Sequence, residues 1–404
     1  LILAACCALY APRYLEGHGH AASAPPEDEQ GTGPLHWFFL SLLIAAMVIV
    51  LLARNAILFL LAWEVMAVTS FFLVITDSRS AQTLRAGWIY LVTAHVGGAF
   101  LLVLFFVLGD AAGSYDFAAW RSLGLTPAQT DTVFLLALVA FGMKAGFLPF
   151  HVWLPLAHPA APSHVSALMS GIMIKMGIYG LLRILTFLAP FHAWWGVLLV
   201  VLGAVSGLLG VLFAIGQHHM KRLLAYHSVE NIGIMLLGMG IGVLGSVYDE
   251  PAIALFGFAG ALLHVFNHAI FKSLLFLGAG AVIRATGTGA IDQLGGLAKR
   301  MPVTSTLFLA GSAAICGLPF FNGFVSELFI YAGGILGTVH GVSPIFAFCC
   351  LGTVIALAGI GGLAVACFTK IFGVVFLGEP RTQLPHAPSE SPPSMLAAML
   401  VLAL

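Results

Sequence analysis

The chain has few charged residues, and this shortage is the first guide to its class. Only 8% of its 404 residues are Asp, Glu, Lys or Arg, whereas 60% are hydrophobic, and the mean hydropathy is +1.05. Such a composition excludes a soluble domain and indicates a polytopic helical membrane protein. Because the formal net charge is zero, the chain offers no basic surface to a nucleic acid.

The sequence also lacks the short motifs of soluble enzymes. Its six cysteines lie in apolar stretches without a C-x-x-C or similar metal-type spacing, so we expect them to be small buried hydrophobic residues. A nucleotide-binding loop, a nucleophile motif and a metal-ligand cluster are absent from the sequence. We therefore expect no cofactor in this chain, and any redox chemistry belongs to other subunits.

Long apolar windows dominate the rest of the chain. Each can cross a bilayer, which requires about 20 residues. Short apolar runs at 1–10 and 395–404 are interpreted as parts of spans, so that 1–404 is one integral membrane domain cut inside a span at both ends. No basic segment precedes the first run, which argues against a signal peptide. The ten predicted spans are 36–54, 56–76, 86–108, 132–157 (broken), 164–187, 193–215, 223–245, 252–283, 304–338 (broken) and 343–377.

Loop charges predict the orientation. A polar loop with an acidic run (Glu27, Asp28, Glu29) follows the first apolar run. When loops are assigned to alternate sides, the positive-inside rule makes the more basic side cytoplasmic. That side carries Arg13, Arg79, Arg85, Lys221, Arg222, Arg284, Lys299, Arg300 and Arg381, and the other side carries only Arg54, Arg121 and Arg183.

Seven charged residues lie inside the predicted spans. Ionisable groups at membrane depth are costly and usually mark an ion path. The structural alternative is a set of buried ion pairs that only fixes helix packing, and it is favoured most for Lys370 and Glu230, which lie nearer span ends. The seven residues are Lys144, Lys175, Lys272, Lys370, Glu64, Glu230 and Glu327.

Three similarities recur in order, which indicates a duplicated unit. The matching pairs are 60–64 with 223–227, 95–96 with 264–265, and 146–150 with 317–320. A five-span unit must be inserted upside down the second time, and inverted repeats with broken helices are typical of transporters. We therefore predict an all-α transmembrane bundle with two inverted five-helix repeats, 36–187 and 193–377. Each contains a helix broken near a Leu-Pro-Phe sequence.

A stripe of basic side chains recurs every four residues in one span. His264, His268 and Lys272 share one helix face. Neutral histidine accepts a proton on one nitrogen and releases one from the other, so this face is suited to proton relay. A metal site at His264 and His268 is the alternative, but the sequence supplies no third ligand.

Further charged residues are predicted to belong to the same proton path. Lys144 lies in the first broken span, Lys175 in the next one, and Glu327 follows the second break. A Glu64–Lys144 pair is predicted to act as a switch, because separating the pair lets lysine release its proton. The remaining histidines near the breaks are expected to be structural (His151, His158, His164), and the role of His95 is left open.

Long motifs give the chain a family resemblance. They are FGMKAGFLPFHVWLP at 141–155, LAHPAAPS at 156–163, VSALMSG at 165–171, KRLLAYHSVENIG at 221–233, NHAIFKSLLF at 267–276 and GLPFFNGFVSE at 317–327. Together they resemble the antiporter-like proton-pumping subunits of respiratory complex I, multisubunit cation/proton antiporters and membrane-bound hydrogenases. YAPRYL at 10–15 and FLGEPR at 376–381 most resemble the formate hydrogenlyase branch.

The resemblance assigns roles to single residues. It matches Glu64 to the family's fifth-helix glutamate, Lys144 to the seventh-helix lysine and Lys175 to the eighth-helix position. It matches Lys272 to the eleventh-helix basic residue and Glu327 to the twelfth-helix charge. Some members have lysine at the last position, so the final exit step is not assumed to work as it does in them.

These observations predict a proton-translocating subunit of a hydrogenase, formate hydrogenlyase or NADH-quinone oxidoreductase type of complex. It would lie in the inner or plasma membrane of a prokaryote, with other membrane subunits and the lipid bilayer as partners. Sodium/proton exchange without redox coupling is the alternative. A purely structural membrane anchor is the third, and the retained charges argue against it.

Overall fold

The described part of the chain folds mostly into α-helices. The computed structural model describes residues 1–16, 33–383 and 387–404. The predicted acidic run at Glu27, Asp28 and Glu29 lies outside the described residues. Within the described ranges there is no β-strand, only two isolated bridges. The predicted all-helical class is confirmed.

Fifteen α-helices can be assigned in the described part of the chain. They are α1 (Ile2–Glu16), α2 (Pro34–Leu52), α3 (Ala56–Val74), α4 (Ala81–Ala112), α5 (Pro127–Ala145), α6 (Leu154–Ala160), α7 (Ser163–Leu168), α8 (Ile174–Leu185), α9 (Ala193–Ile215), α10 (Met220–Val247), α11 (Pro251–Thr286), α12 (Pro302–Ile315), α13 (Asn322–His340), α14 (Pro344–Phe376) and α15 (Pro393–Ala403). A π-helical segment, Met169–Met173, joins α7 to α8.

Nine helical segments in the described ranges are long and apolar enough to cross a bilayer. They agree with nine of the ten predicted windows, with α7, the π-helical segment and α8 forming one of them. The tenth window, 304–338, contains two helices, α12 and α13, with α12 only 14 residues long. The predicted membrane-spanning character is confirmed.

Helix α10 lies at the centre of the bundle, and all of its apolar window is buried. It packs against α9 and α11. A Cβ added to Gly233 of α10 would lie 2.5 Å from the backbone nitrogen of Gly207 in α9. Only glycine permits backbones to approach so closely, which is how helices associate in lipid.

Helices α5 and α12 both end at or close to a left-handed glycine, as α4, α11 and α13 also do within the described residues. Helix α5 stops at Ala145, followed by Gly146 with φ +73°, and the next helix begins at Leu154. Helix α12 stops at Ile315, two residues before Gly317 with φ +61°. Glycine adopts this conformation without steric cost, so both chain segments turn sharply where the sequence places glycine before Leu-Pro-Phe.

Candidate functional site

Lys144 lies in the last turn of α5 and is only 2% exposed. Its ammonium donates a hydrogen bond to the Tyr90 hydroxyl of α4 at 3.1 Å. The Tyr90 hydroxyl lies 2.5 Å from Ser70 Oγ on α3. The rings of Trp63 and Tyr90 lie 5.7 and 5.5 Å from Nζ, close enough for cation–π attraction. The lysine charge is therefore held by a hydroxyl and two aromatic faces.

The predicted Glu64–Lys144 pair is not formed in this structure. No salt bridge within 4.0 Å joins the two residues, which both belong to the described part of the chain, and Glu64 Oε2 instead lies 3.7 Å from His95 Nε2. The reason is helical geometry. Trp63 faces Lys144, and the next residue points about 100° further around α3. Glu64 therefore points towards α4, where a methyl group on Gly98 would lie 2.3 Å from its Oε1.

Both members of the Glu64–His95 contact are partly exposed, at 35% and 51% of their side chains. In a bundle that spans a membrane, exposed polar groups are costly unless another protein surface or water covers them. The contact marks the outer face of α3 and α4.

Lys175 lies in α8, just after the π-helical segment, and is 3% exposed. Its ammonium donates a hydrogen bond to the Ser170 carbonyl oxygen. The Ser170 side chain contacts Ser228 of α10, with 2.8 Å between the two Oγ atoms. The thioether of the last π-helical residue accepts a weak hydrogen bond from Tyr90 at 3.7 Å. The segment Met169–Met173 thus lies between the Lys144 contacts and α10. Single π turns of this kind are frequent at functional sites.

His264 is fully buried and joins three helices. Its Nδ1 lies 3.0 Å from Ser326 Oγ on α13, and its Nε2 lies 3.0 Å from Asn231 Oδ1 on α10. Asn231 also donates to the backbone carbonyl oxygen of His227 at 2.7 Å. The Nδ1 atom of His227 in turn forms a buried hydrogen bond with the Glu230 carboxylate. These contacts form a continuous polar network from α10 to α13.

His268 and Lys272 continue the predicted stripe one and two turns further along α11. Both are fully buried, and neither the two ring nitrogens of His268 nor Lys272 Nζ has a hydrogen-bond partner among the described residues. Lys272 Nζ lies 5.7 Å from the Phe276 ring. The ring of His158 in α6 lies 5.0 Å from the same phenyl ring, and its nitrogens are also unpartnered in the described chain. Buried polar groups of this kind require an explanation, such as water.

Glu327 follows Ser326 on α13 and is 7% exposed. Its carboxylate lies against the turn after α12, since a methyl group on Gly317 would come within 2.5 Å of Oε2. The second left-handed glycine therefore leaves room for this carboxylate, and the His264 network reaches the residue next to it.

The sequence interpretation missed several members of these contacts. Glu230 is one of the seven predicted intramembrane charges, for which the sequence favours a structural role; the structure buries it inside α10 beside His227. The spacing of His227, Glu230 and Asn231, three and four residues apart in an apolar helix, was the available signal. The hydroxyl partners carry no such signal: Ser70, Tyr90, Ser170, Ser228 and Ser326. Within residues 1–16, 33–383 and 387–404, no three His, Cys, Asp or Glu side chains are grouped to hold a metal ion.

Comparison with known proteins identifies the class. Residues 53–356 match the model of the NADH:quinone oxidoreductase/Mrp antiporter transmembrane family. Because the match covers more than half of the chain, the chain belongs to this family, and the predicted resemblance is confirmed.

Among curated proteins, the chain is similar to a component of hydrogenase-4 and a subunit of formate hydrogenlyase. The chain is 42% identical to hydrogenase-4 component B of Escherichia coli (strain K12), over all of this chain and 58% of that protein. It is 37% identical to formate hydrogenlyase subunit 3 of the same strain, over 90% of this chain and 59% of that protein. The chain thus spans less than two thirds of the length of these relatives.

Solved structures share the architecture. A chain of an archaeal membrane-bound sulfane sulfur reductase matches all of this chain and 62% of its own length, with a TM-score of 0.79 and 28% identity. A chain of the Mrp complex from Dietzia sp. DQ12-45-1b matches all of this chain and 77% of its own length, with a TM-score of 0.82 and 23% identity. The latter likeness concerns the fold alone.

Proposed function

We propose that the chain translocates protons as an antiporter-like subunit of a membrane complex of the hydrogenase, formate hydrogenlyase or NADH-quinone oxidoreductase type. One observation carries the proposal. Lys144, Lys175 and Lys272 are each at most 3% exposed. None of the three forms a salt bridge within the described residues. Buried ion pairs that only fix packing would pair such lysines with carboxylates, whereas a proton carrier must be able to lose its charge.

The proposed path follows the contacts from α3 to α13. Lys144 exchanges a proton with the Tyr90 hydroxyl, and Lys175 takes up the next position beyond the π-helical segment. His264, His268 and Lys272 carry the proton along α11, with water bridging the unpartnered nitrogens. Glu327 releases it at the second turn. This order is supported by the 3.1 Å contact of Lys144 with Tyr90 and by the network around His264.

Glu64 has the role of a switch in this proposal. Its carboxylate is beside His95 in the structure, on the outer face of the bundle. Charge movement in a neighbouring subunit would alter the balance between Glu64 contacting His95 and Glu64 turning towards Lys144. With the carboxylate turned away, Lys144 loses the partner that stabilises its ammonium and releases its proton more readily.

We further propose that 36–187 and 193–377 are inverted repeats, each with a broken helix. Support comes from the matching positions of Gly146 and Gly317, two left-handed glycines that follow α5 and α12 and each stand shortly before a Leu-Pro-Phe sequence. Irregular backbone at membrane depth is tolerated where it is buried or lines a watered cavity. The two turns would then give water access to the path from opposite sides.

The proposed setting is the inner or plasma membrane of a prokaryote. The chain itself would carry no redox cofactor, and electron transfer would take place in partner subunits. The names of the curated relatives, hydrogenase-4 component B and formate hydrogenlyase subunit 3, support a place in such a multisubunit complex.

The test compares protons with sodium in inverted membrane vesicles that contain the full-length protein with its complex. Electron transfer through the complex is expected to acidify the vesicle interior at the same rate with or without Na⁺. Acidification that requires Na⁺, or cation/proton exchange that persists after removal of the redox subunits, would contradict the proposal and favour sodium/proton exchange.

A further inference from the structure

Two imidazoles contact each other at one end of the bundle. His36 lies in the first turn of α2 and His164 in the first turn of α7. Their Nε2 atoms are 2.9 Å apart, and the ring planes are inclined by 67°. His36 is 7% exposed and His164 is fully buried. The distance requires one ring to donate a hydrogen bond and the other to accept it.

Other histidines near helix ends have a different kind of partner. His192 Nδ1 lies 2.7 Å from the Asp131 carboxylate, and His218 Nδ1 lies 2.7 Å from the Asp292 carboxylate. An ionised carboxylate only accepts hydrogen bonds, so it fixes the tautomer of its histidine. An imidazole partner fixes no direction, because either ring can be the donor.

The pair lies where a proton from the basic side of the bundle would arrive. Both helices start at the end that carries Arg13, Arg222 and Arg284, which the positive-inside rule assigns to the cytoplasm. Helix α7 then continues through the π-helical segment to Lys175. Lys175 is eleven positions after His164, which corresponds to about 16 Å along a helix.

The site is also fixed by neighbouring helices. The Tyr14 ring of α1 meets the His164 ring edge-on at 5.8 Å, and its hydroxyl lies 3.1 Å from Ser163 Oγ. These contacts hold the start of α7 in place, so the separation of the two imidazoles is set by packing from three helices.

We propose that the His36–His164 pair is the entry site through which protons pass from the cytoplasmic side to Lys175. The inference rests on the proposed function and names the side chains that take up the proton, which the path above leaves unspecified. A proton from the cytoplasmic side binds Nδ1 of His36. The proton on Nε2 of His36 moves across the hydrogen bond to Nε2 of His164, and His164 releases its Nδ1 proton to water on the way to Lys175. Both rings end neutral in the opposite tautomers, and ring rotation resets them.

Chemical rescue tests the proposal in vesicles that contain the full-length protein in its complex. His36→Ala removes the ring and is expected to slow proton uptake about 100-fold, the lower end of the range for a lost proton-transfer group. Imidazole added on the cytoplasmic side should restore uptake, because it can occupy the vacated space and exchange protons. His36→Gln fills the space without relaying protons, so imidazole should not rescue it. His218→Ala is the matched control and should be unaffected.

A second measurement needs no variant. In the wild-type protein with ¹⁵N-labelled histidine, a scalar coupling between two imidazole nitrogens is expected across the 2.9 Å hydrogen bond. Absence of this coupling would overturn the proposal. So would normal uptake in His36→Gln, or an equal effect of imidazole on the Ala and Gln variants. If Lys144→Ala retains full transport, the proposed function fails; if Lys144→Ala stops transport while His36→Gln does not, only the entry site fails.

Discussion

Replacement of Tyr90 by phenylalanine is the most informative single change in the Lys144 contacts. It removes one hydroxyl and leaves the ring, which packs 4.9 Å from the Trp153 ring. Lys144 then loses its hydrogen bond of 3.1 Å, and Ser70 loses the neighbour at 2.5 Å. A hydrogen bond to a charged group contributes about 1.5–3 kcal/mol, which corresponds to a change of about 10- to 150-fold in a rate or equilibrium.

Proton uptake by inverted vesicles is therefore expected to fall by that factor in Tyr90→Phe, with unchanged amounts of protein in the membrane. Tyr226→Phe is the matched control, because the Tyr226 ring packs 5.6 Å from Phe213 and its hydroxyl forms no hydrogen bond with Lys144 among the described residues. Uptake in Tyr90→Phe within twofold of wild type would refute the idea that the hydroxyl relays the lysine proton.

Three further predictions concern packing and titration. Gly177→Ala should lower the melting temperature of the purified protein, because the new methyl group would lie 2.5 Å from a backbone oxygen of α5; we expect this variant to be destabilised by about 1–3 kcal/mol. Gly361→Ala is the control and should not lower the melting temperature, because its methyl group would lie in open space. Gly98→Ala should displace the Glu64 carboxylate, which lies 2.3 Å from the new carbon, and should slow proton uptake without loss of protein. Burial, assisted by two neighbouring cations, lowers the pKa of His219, just before α10, to about 4. Between about pH 6.5 and 4 the unfolded chain then binds more protons than the folded protein does. Lowering the pH through this range should therefore reduce the stability of the wild type by more than that of His219→Gln.

The membrane class was predictable because charge at membrane depth is so costly that hydrophobic windows reveal the spans. The positions of the buried lysines followed from the same argument. The hydrogen-bond partners of the buried side chains could not be predicted, because they are far apart in sequence: Tyr90 precedes Lys144 by 54 residues, and His36 precedes His164 by 128. A single sequence does not tell which faces of distant helices meet.

The structure differs from the sequence predictions at two places, and each difference has a physical cause. The sequence predicted one continuous span at 164–187, and the structure contains a π-helical segment at Met169–Met173 instead of a regular α-helix. The local sequence does not predict the π-helical segment, because its wider turn is accompanied by contacts with α10 and with Lys175 that a single sequence does not reveal. The predicted Glu64–Lys144 contact is not formed in this structure because Trp63, and not Glu64, occupies the side of α3 that faces α5.

The central claim is that buried lysines without carboxylate partners carry protons through this chain. The most direct measurement is proton translocation by vesicles containing Lys144→Ala in the full-length protein and its complex. Lys370→Ala is the control, because Lys370 donates to the carbonyl oxygen of Ile215 at 2.7 Å at a helix end. Loss of translocation in Lys144→Ala, with assembly intact and Lys370→Ala active, is the predicted result. Unchanged proton pumping in Lys144→Ala would contradict the account.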